Sequence, residues 1–399
     1  MSRQDQADVL NDLISTFAHP FPGPDDSVLA ALTVSCTSIS IARALQFHGA
    51  VVTRRSPGLT EVLGSWMDAR QRTFWDPLLG RLREVRETDP PESCYLILIE
   101  CGLRALLDGV PGGWPFQLAT PARFRLGPWV LPHAISGQVD ASGCHISLDL
   151  KDADGSLHRL NLHKANDGHS WKMTSSALAV ELPSVSFSTS ETVLLPDHMM
   201  SGQLLPDLPG SRFLEVSELA QVAERLRRAR DVVSEHSPQY ANWIDRSVSC
   251  MAPMKSANQS SGSHPSFPGL LVMSDDPRPA AIAEMLVHEA SHQYFYIATM
   301  LGPVDDGSDS QEYYSPLVRR PRPIDKVLLS YHAMGNMIIL LKHFVASGID
   351  DAGYCRDRLE CIAPQIQEVD EALHRTNSLT ELGDALWRPL SNRLAQPLN

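Results

Sequence analysis

The chain has 399 residues, 43% of them hydrophobic and 20% charged, the balance of a folded, soluble protein large enough for two or three packed units. Its formal net charge of −13 argues against a nucleic-acid partner, because a phosphate backbone requires a basic face. Seven cysteines, an odd number without a C-x-x-C pair, suit reduced thiols in a cytoplasmic setting better than a disulfide framework.

The N-terminus, Met1-Ser2-Arg3-Gln4-Asp5-Gln6, is polar and lacks a signal-peptide pattern. Residues 1–115 are predicted to be helical: apolar residues recur at helical spacing through Val9–Phe17, Val28–Phe47, Trp75–Leu82 and Cys94–Leu107, with prolines between them. Cys36, Cys94 and Cys101 lie in apolar surroundings and are expected in the core. From 116 to 200 the texture changes to short alternating stretches, among them His145–Leu150, Leu157–Leu162 and Ser184–Ser188, and Asp152-Ala153-Asp154-Gly155 reads as a hairpin turn. The histidines of this β-rich middle, His133, His145, His158, His163 and His169, show no ligand spacing.

Residues 201–399 turn helical again. Val216–Val233 has amphipathic spacing, and its arginines Arg225, Arg227, Arg228 and Arg230 alternate with Glu224 and Asp231 as a solvated face does. Phe267–Ser274 reads as a short buried strand. Asp275-Asp276-Pro277 then supplies helix-start chemistry for a helix over about Ala280–Met300. A second, almost wholly apolar helix is predicted over Ile324–Phe344. The most apolar runs, Tyr95–Ile99 and Met337–Leu341, are too short to cross a bilayer, so no membrane partner is expected. The fold class is α+β and mostly helical: a helical N-terminal part, a β-rich middle, and a C-terminal helical metal-binding domain with a zincin-like helix pair.

That last expectation rests on His288-Glu289-Ala290-Ser291-His292, an H-E-x-x-H motif within the Ala280–Met300 helix. Residues four apart share a helix face, so the imidazoles of His288 and His292 can converge on one metal ion, with Glu289 close enough to touch a metal-bound water. Glu284, one turn earlier, is placed to support the free ring nitrogen of His288. A third protein ligand is usual. The long metzincin motif is excluded, because Phe295 and Ala298 stand at its Gly and His positions. A downstream glutamate is poorly provided, the nearest being Glu312 in a polar loop. His332 in the buried helix is the better candidate, flanked by Gly335, which removes bulk, and Asn336, which can orient its ring. His343 lies nearer the helix end, a common structural position. Between the two helices, Arg319, Arg320 and Arg322 are stiffened by Pro321 and Pro323, and arginine is the side chain best shaped for a two-pronged grip on a carboxylate.

With these residues in order, the chain resembles the HExxH-motif proteins of ribosomal peptide natural-product (RiPP) biosynthesis, iron(II)- and 2-oxoglutarate-dependent peptide β-hydroxylases. The resemblance is carried by Phe267-Pro268-Gly269, Leu286-Val287-His288-Glu289-x-x-His292, Ser315-Pro316-Leu317, Pro321-Arg322-Pro323 and Val327-Leu328-x-x-Tyr331-His332-Ala333, over residues 260–345. It implies His288, His292 and His332 as iron ligands, Arg322 or Arg320 as the clamp for the distal carboxylate of 2-oxoglutarate, dioxygen as oxidant, and a ribosomally made precursor peptide as substrate. Non-haem iron oxygenases usually use two histidines and a carboxylate, so Glu289 stays in contention as a ligand. The alternatives are a zinc metallopeptidase with Glu289 as general base, and a non-catalytic metal- or peptide-binding protein.

Overall fold

The computed structural model describes residues 16–20, 27–68, 75–165, 170–175, 179–187, 191–200, 212–256 and 259–396. Most of the predicted helix Val9–Phe17 lies outside these residues, as do His169 and Ser188. The fold is α+β. It forms two compact units, 30–183 and 1–29 with 184–399. These boundaries differ from those read from texture: most of the N-terminal helical stretch packs with the β-rich middle, and the described residues before position 30 group with the C-terminal part.

The unit of residues 30–183 combines helices with an antiparallel five-stranded sheet in the order Gly112–Ala122, Ala134–Ser142, His145–Lys151, Leu157–Lys164 and Trp171–Ser175. Ile146, Leu148 and Leu150 are buried while their neighbours are half-buried, the period-two pattern of a strand with one face on a core. The turn between two of these strands is held by Asp152, whose Oδ1 accepts from the backbone N–H of Asp154 at 3.2 Å and of Ser156 at 3.0 Å.

The other unit is built on a mixed sheet whose strands run in the order Ser261–Ser263, Leu270–Ser274, Cys250–Lys255, Glu191–Leu194 and Ser184–Ser186. Leu270–Ser274 is bonded on both edges, parallel to Cys250–Lys255 and antiparallel to Ser261–Ser263. All five of its residues are buried, which explains an unbroken apolar run where a half-exposed strand would alternate.

Against this core lie Val216–His236, Pro238–Ser247 and the motif helix, Pro279–Ala298. The motif helix starts with Pro at its first position, where a missing N–H costs nothing. The predicted aspartate cap is not used. The Asp276 carboxylate accepts from Arg278 instead, at 2.9 Å from the backbone nitrogen, while Asp351 Oδ2 receives the N–H of Ala280 at 3.1 Å.

The buried helix, Ile324–Ser347, packs on the motif helix and ends at Gly348, whose φ of 67° supplies the left-handed C-cap. Its Gly335 serves packing, because a Cβ there would come within 2.7 Å of Leu390 in the helix Glu381–Ala395. Two described helices, Val28–Arg55 and Ile324–Ser347, are long and apolar enough to cross a membrane. Contiguous apolar runs understate them because small polar residues interrupt both. Ile324–Ser347 is mostly buried within the protein, as a core helix is.

Candidate metal centre

The motif helix brings His288, Glu289 and His292 together, with one ligand atom from each lying within 4.8 Å of the others. The two Nε2 atoms face each other at 3.0 Å, and Glu289 Oε1 lies 3.7 Å from His288 Nε2. The four-residue spacing sets this convergence, since both imidazoles leave the same helix face. Glu289 is 1% exposed. Its Oε1 accepts a hydrogen bond from the Ser261 hydroxyl at 2.7 Å, whereas Oε2 is buried without a partner. His292 Nδ1 is likewise buried and unpartnered.

A buried carboxylate oxygen and two opposed imidazole nitrogens are costly left as they are. A cation between them would relieve all three, so the donor set fits a divalent metal with imidazole and carboxylate preferences. Burial, the neighbouring His288 and His332 and the charge of Arg322 hold the pKa of His292 well below its ordinary value. Its lone pair is therefore free at neutral pH, as ligation requires.

The other predicted residues are placed as follows. His332 is fully buried but stands outside the trio: its Nε2 lies 2.7 Å from the carbonyl oxygen of Phe17, and the rings of Trp243 and Phe295 pack at 6.0 and 5.9 Å. Burial is the main cause that pushes its pKa down to about 4. The carbonyl engages only Nε2; Nδ1 is buried without a partner, as His292 Nδ1 is. Asn336 does not orient that ring. Its Nδ2 donates to the carbonyls of Ala18 and His332 at 3.0 and 2.9 Å, and its Oδ1 accepts from Tyr240 at 2.9 Å. Glu284 does not support His288 either, being taken up by Arg358, at 2.6 Å, and by the Tyr354 hydroxyl. His288 Nδ1 meets the thioether of Met337 at 3.0 Å, a weak acceptor. Glu312 is exposed, and His343 Nδ1 lies 2.9 Å from Ser237 Oγ.

The segment read as an arginine loop is a two-stranded hairpin, Tyr313–Ser315 with Arg320–Arg322. It separates the two candidate clamps. Arg320 is exposed, whereas Arg322 is half-buried and its charge acts on both His292 and Tyr296.

Tyr296, Ser261 and Met337 went unread in the sequence. Tyr296 had a signal: it continues the His288–His292 stripe by another four residues, and its ring stacks on His292 at 6.3 Å and 22°. Burial and the Glu289 carboxylate raise its phenol to about 12, so it stays a donor at neutral pH. Ser261 and Met337 had none, because sheet register and helix packing place them. Compared with known protein families and with curated proteins, the chain matches none.

Proposed function

We propose that the chain is an iron(II)- and 2-oxoglutarate-dependent oxygenase that hydroxylates a side-chain β-carbon in a ribosomally made precursor peptide. His288, His292 and Glu289 would hold the metal as the two-histidine, one-carboxylate set typical of such enzymes, borne on one member of a zincin-like helix pair. The observation that carries the reading is Arg322: a half-buried guanidinium, without a carboxylate partner among the described residues, whose charge reaches His292. A cation placed so beside a metal-binding trio is a seat for an anionic co-substrate. The Tyr296 phenol supplies a further donor on the same side, since the charge of Arg322 reaches it too. When bound, iron and oxoglutarate would supply the oxidising chemistry with dioxygen as the oxidant, one oxygen atom entering succinate as oxoglutarate loses carbon dioxide and the other entering the peptide as the hydroxyl. The chain's own residues would hold the metal and anchor the carboxylate, with Glu289 buried at 1% exposed and His288 and His292 half-buried, so that the metal side of the trio stays open to a co-substrate.

One observation favours a second reading, a zinc metallopeptidase. Glu289 is held at one oxygen by Ser261 and bare at the other, beside His288, an arrangement that also suits a general base acting on a metal-bound water.

Succinate release from oxoglutarate by anaerobically iron-loaded protein, supplied with oxygen and peptide, separates the two. Arg322→Ala should raise the apparent KM for oxoglutarate at least about tenfold by removing a charge-assisted contact. Arg320→Ala should leave it unchanged, and His288→Ala or His292→Ala should abolish iron binding. Zinc-dependent cleavage of a defined peptide bond, lost in Glu289→Gln, would replace the oxygenase reading with the peptidase.

A further inference from the structure

The arginine hairpin differs from the rest of the surface in two independent respects. Its outward positions are apolar: Tyr314, Leu317 and Val318 are 47%, 41% and 40% exposed and fall within five residues, whereas the other exposed large hydrophobic residues among those described, such as Ile39, Leu157 and Leu301, are scattered singly along the chain. Its arginines are also unpaired. Elsewhere in the same unit several exposed arginines meet carboxylates, Arg212 with Glu218 at 2.9 Å, Arg278 with Asp276 at 2.7 Å and Arg388 with Asp384 at 3.1 Å, while Arg356 and Arg375 are exposed without such a pair but stand singly. Arg319 and Arg320 are exposed and have no such partner among the described residues. On a chain of net charge −13, two adjacent exposed arginines without carboxylates beside an apolar cluster offer an acidic partner both a charge and a contact surface.

The hairpin is firmly mounted. Tyr313 is 3% exposed, its hydroxyl donates to Asp309 at 2.6 Å, and the Arg375 guanidinium lies 5.8 Å from its ring centre. Ser315 on the same strand is fully buried. The strand alternation therefore fixes Tyr313 and Ser315 inward and leaves Tyr314 outward, paired across the hairpin with Pro321. Arg319 takes a left-handed backbone, φ 52°, and so closes the turn. Two residues beyond Arg320, the same strand reaches Arg322, whose charge is felt at His292.

We propose that the outer face of this hairpin docks an acidic, apolar segment of the peptide substrate, carboxylates meeting Arg319 and Arg320 and apolar side chains covering Tyr314, Leu317 and Val318. The proposal rests on the peptide-substrate reading above and adds the chemistry of the recognised segment. Charge complementarity chooses the occupant: an acidic peptide is disfavoured by the protein's net charge and attracted to the unpaired arginines, so docking is steered to the strand that carries Arg322.

The test is fluorescence anisotropy on the full chain with three short labelled peptides: alternating Glu and Leu, its Gln–Leu counterpart and its Glu–Ser counterpart. The Glu–Leu peptide should bind at least about tenfold more tightly than either control and weaken as salt is raised. Arg320→Glu combined with Arg319→Asn, a residue tolerated at positive φ, should remove that advantage, and so should Leu317→Ser with Val318→Ser. Equal binding of the Glu–Leu and Gln–Leu peptides, or full binding by both double variants, would overturn the proposal. So would equally tight binding of inorganic polyphosphate, or a concentration-dependent dimer lost in the same variants, which would make a second copy the occupant. Binding needs no turnover, so charge-dependent docking without hydroxylation would sink the activity and leave the surface standing. Normal hydroxylation of an acidic peptide by the charge-altered variant would sink the surface and leave the activity.

Discussion

The motif helix carries two glutamates, each 1% exposed, whose surroundings are opposite. In the first half of the helix, Glu284 is saturated: Arg358 donates to its Oε1 through Nη2 at 2.6 Å and Nε at 3.0 Å, and Tyr354 donates to Oε2. In the second half, Glu289 has one hydroxyl on one oxygen and nothing on the other. A buried charge is tolerated when its lone pairs are filled and is expensive when they are not. Burial alone therefore does not mark a functional carboxylate; unfilled bonding capacity beside two facing imidazole nitrogens does. The helix up to Glu284 is built for stability and the stretch from His288 to His292 for a ligand.

The same contrast separates histidine pairs. His145 and His163 approach to 3.3 Å between Nδ1 atoms on adjacent strands of the five-stranded sheet, paired directly by its register. That pair is solvent-accessible, and no third metal-ligating group joins it among the described residues. Two imidazoles in contact are thus not a site without a third donor beside them.

The largest test of the contrast is Glu284→Ala. It strands the Arg358 guanidinium, so unfolding free energy should drop by about 3–5 kcal/mol, read as a lower urea midpoint at constant m-value. A loss below about 1 kcal/mol would mean the pair contributes no more than a surface salt bridge, and the saturated half would lose its structural role.

His332 offers the next largest effect, because it is a fully buried imidazole whose Nε2 is engaged by the Phe17 carbonyl. Its folded pKa, about 4, lies below the ordinary 6.5. Between those values the unfolded chain takes up a proton that the folded form refuses, so stability is complete above pH 6.5 and is lost as pH falls toward 4. The span corresponds to about 3 kcal/mol. His332→Gln cannot titrate there, so its stability should fall less steeply than wild type between pH 7 and pH 4.5. Parallel curves would show that the folded protein admits the proton, as a solvated or repositioned imidazole would.

How much of this was legible follows from where each partner sits in the chain. The H-E-x-x-H trio was, because its geometry is local to one helix and four-residue spacing fixes it. The helix Ile324–Ser347 and the strand Leu270–Ser274 were visible as apolar runs for the same reason. The fate of His332 was not: its acceptor, Phe17, is 315 residues away, and no periodicity reports a carbonyl brought in by tertiary packing. Glu284 was assigned to His288 from helix spacing, but its partners come from Ala352–Arg375. Pairing of Tyr313–Ser315 with Arg320–Arg322 was hidden because the strands are only three residues each, too short to show alternation.

The smallest expected change in stability is the most informative, and it belongs to Glu289→Gln. The substitution preserves shape, and an amide oxygen can still accept from Ser261 as Glu289 Oε1 does at 2.7 Å. What is removed is a negative charge on an oxygen with no partner. The group introduced is an unpaired NH2, whose burial costs less than that of an unpaired charge. In the metal-free protein the unfolding free energy should therefore stay within about 1 kcal/mol of wild type, in either direction. Iron or zinc affinity should drop by at least about tenfold, because a neutral amide replaces an anionic donor. Metal titration and urea unfolding on the same preparation give both numbers. If Glu289→Gln instead lost several kcal/mol without metal, Glu289 would be a structural charge like Glu284, and the division of the helix would fail. If stability and metal affinity both stayed at wild type, the two histidines would bind metal without Glu289, and its bare oxygen would face the water that the peptidase reading requires.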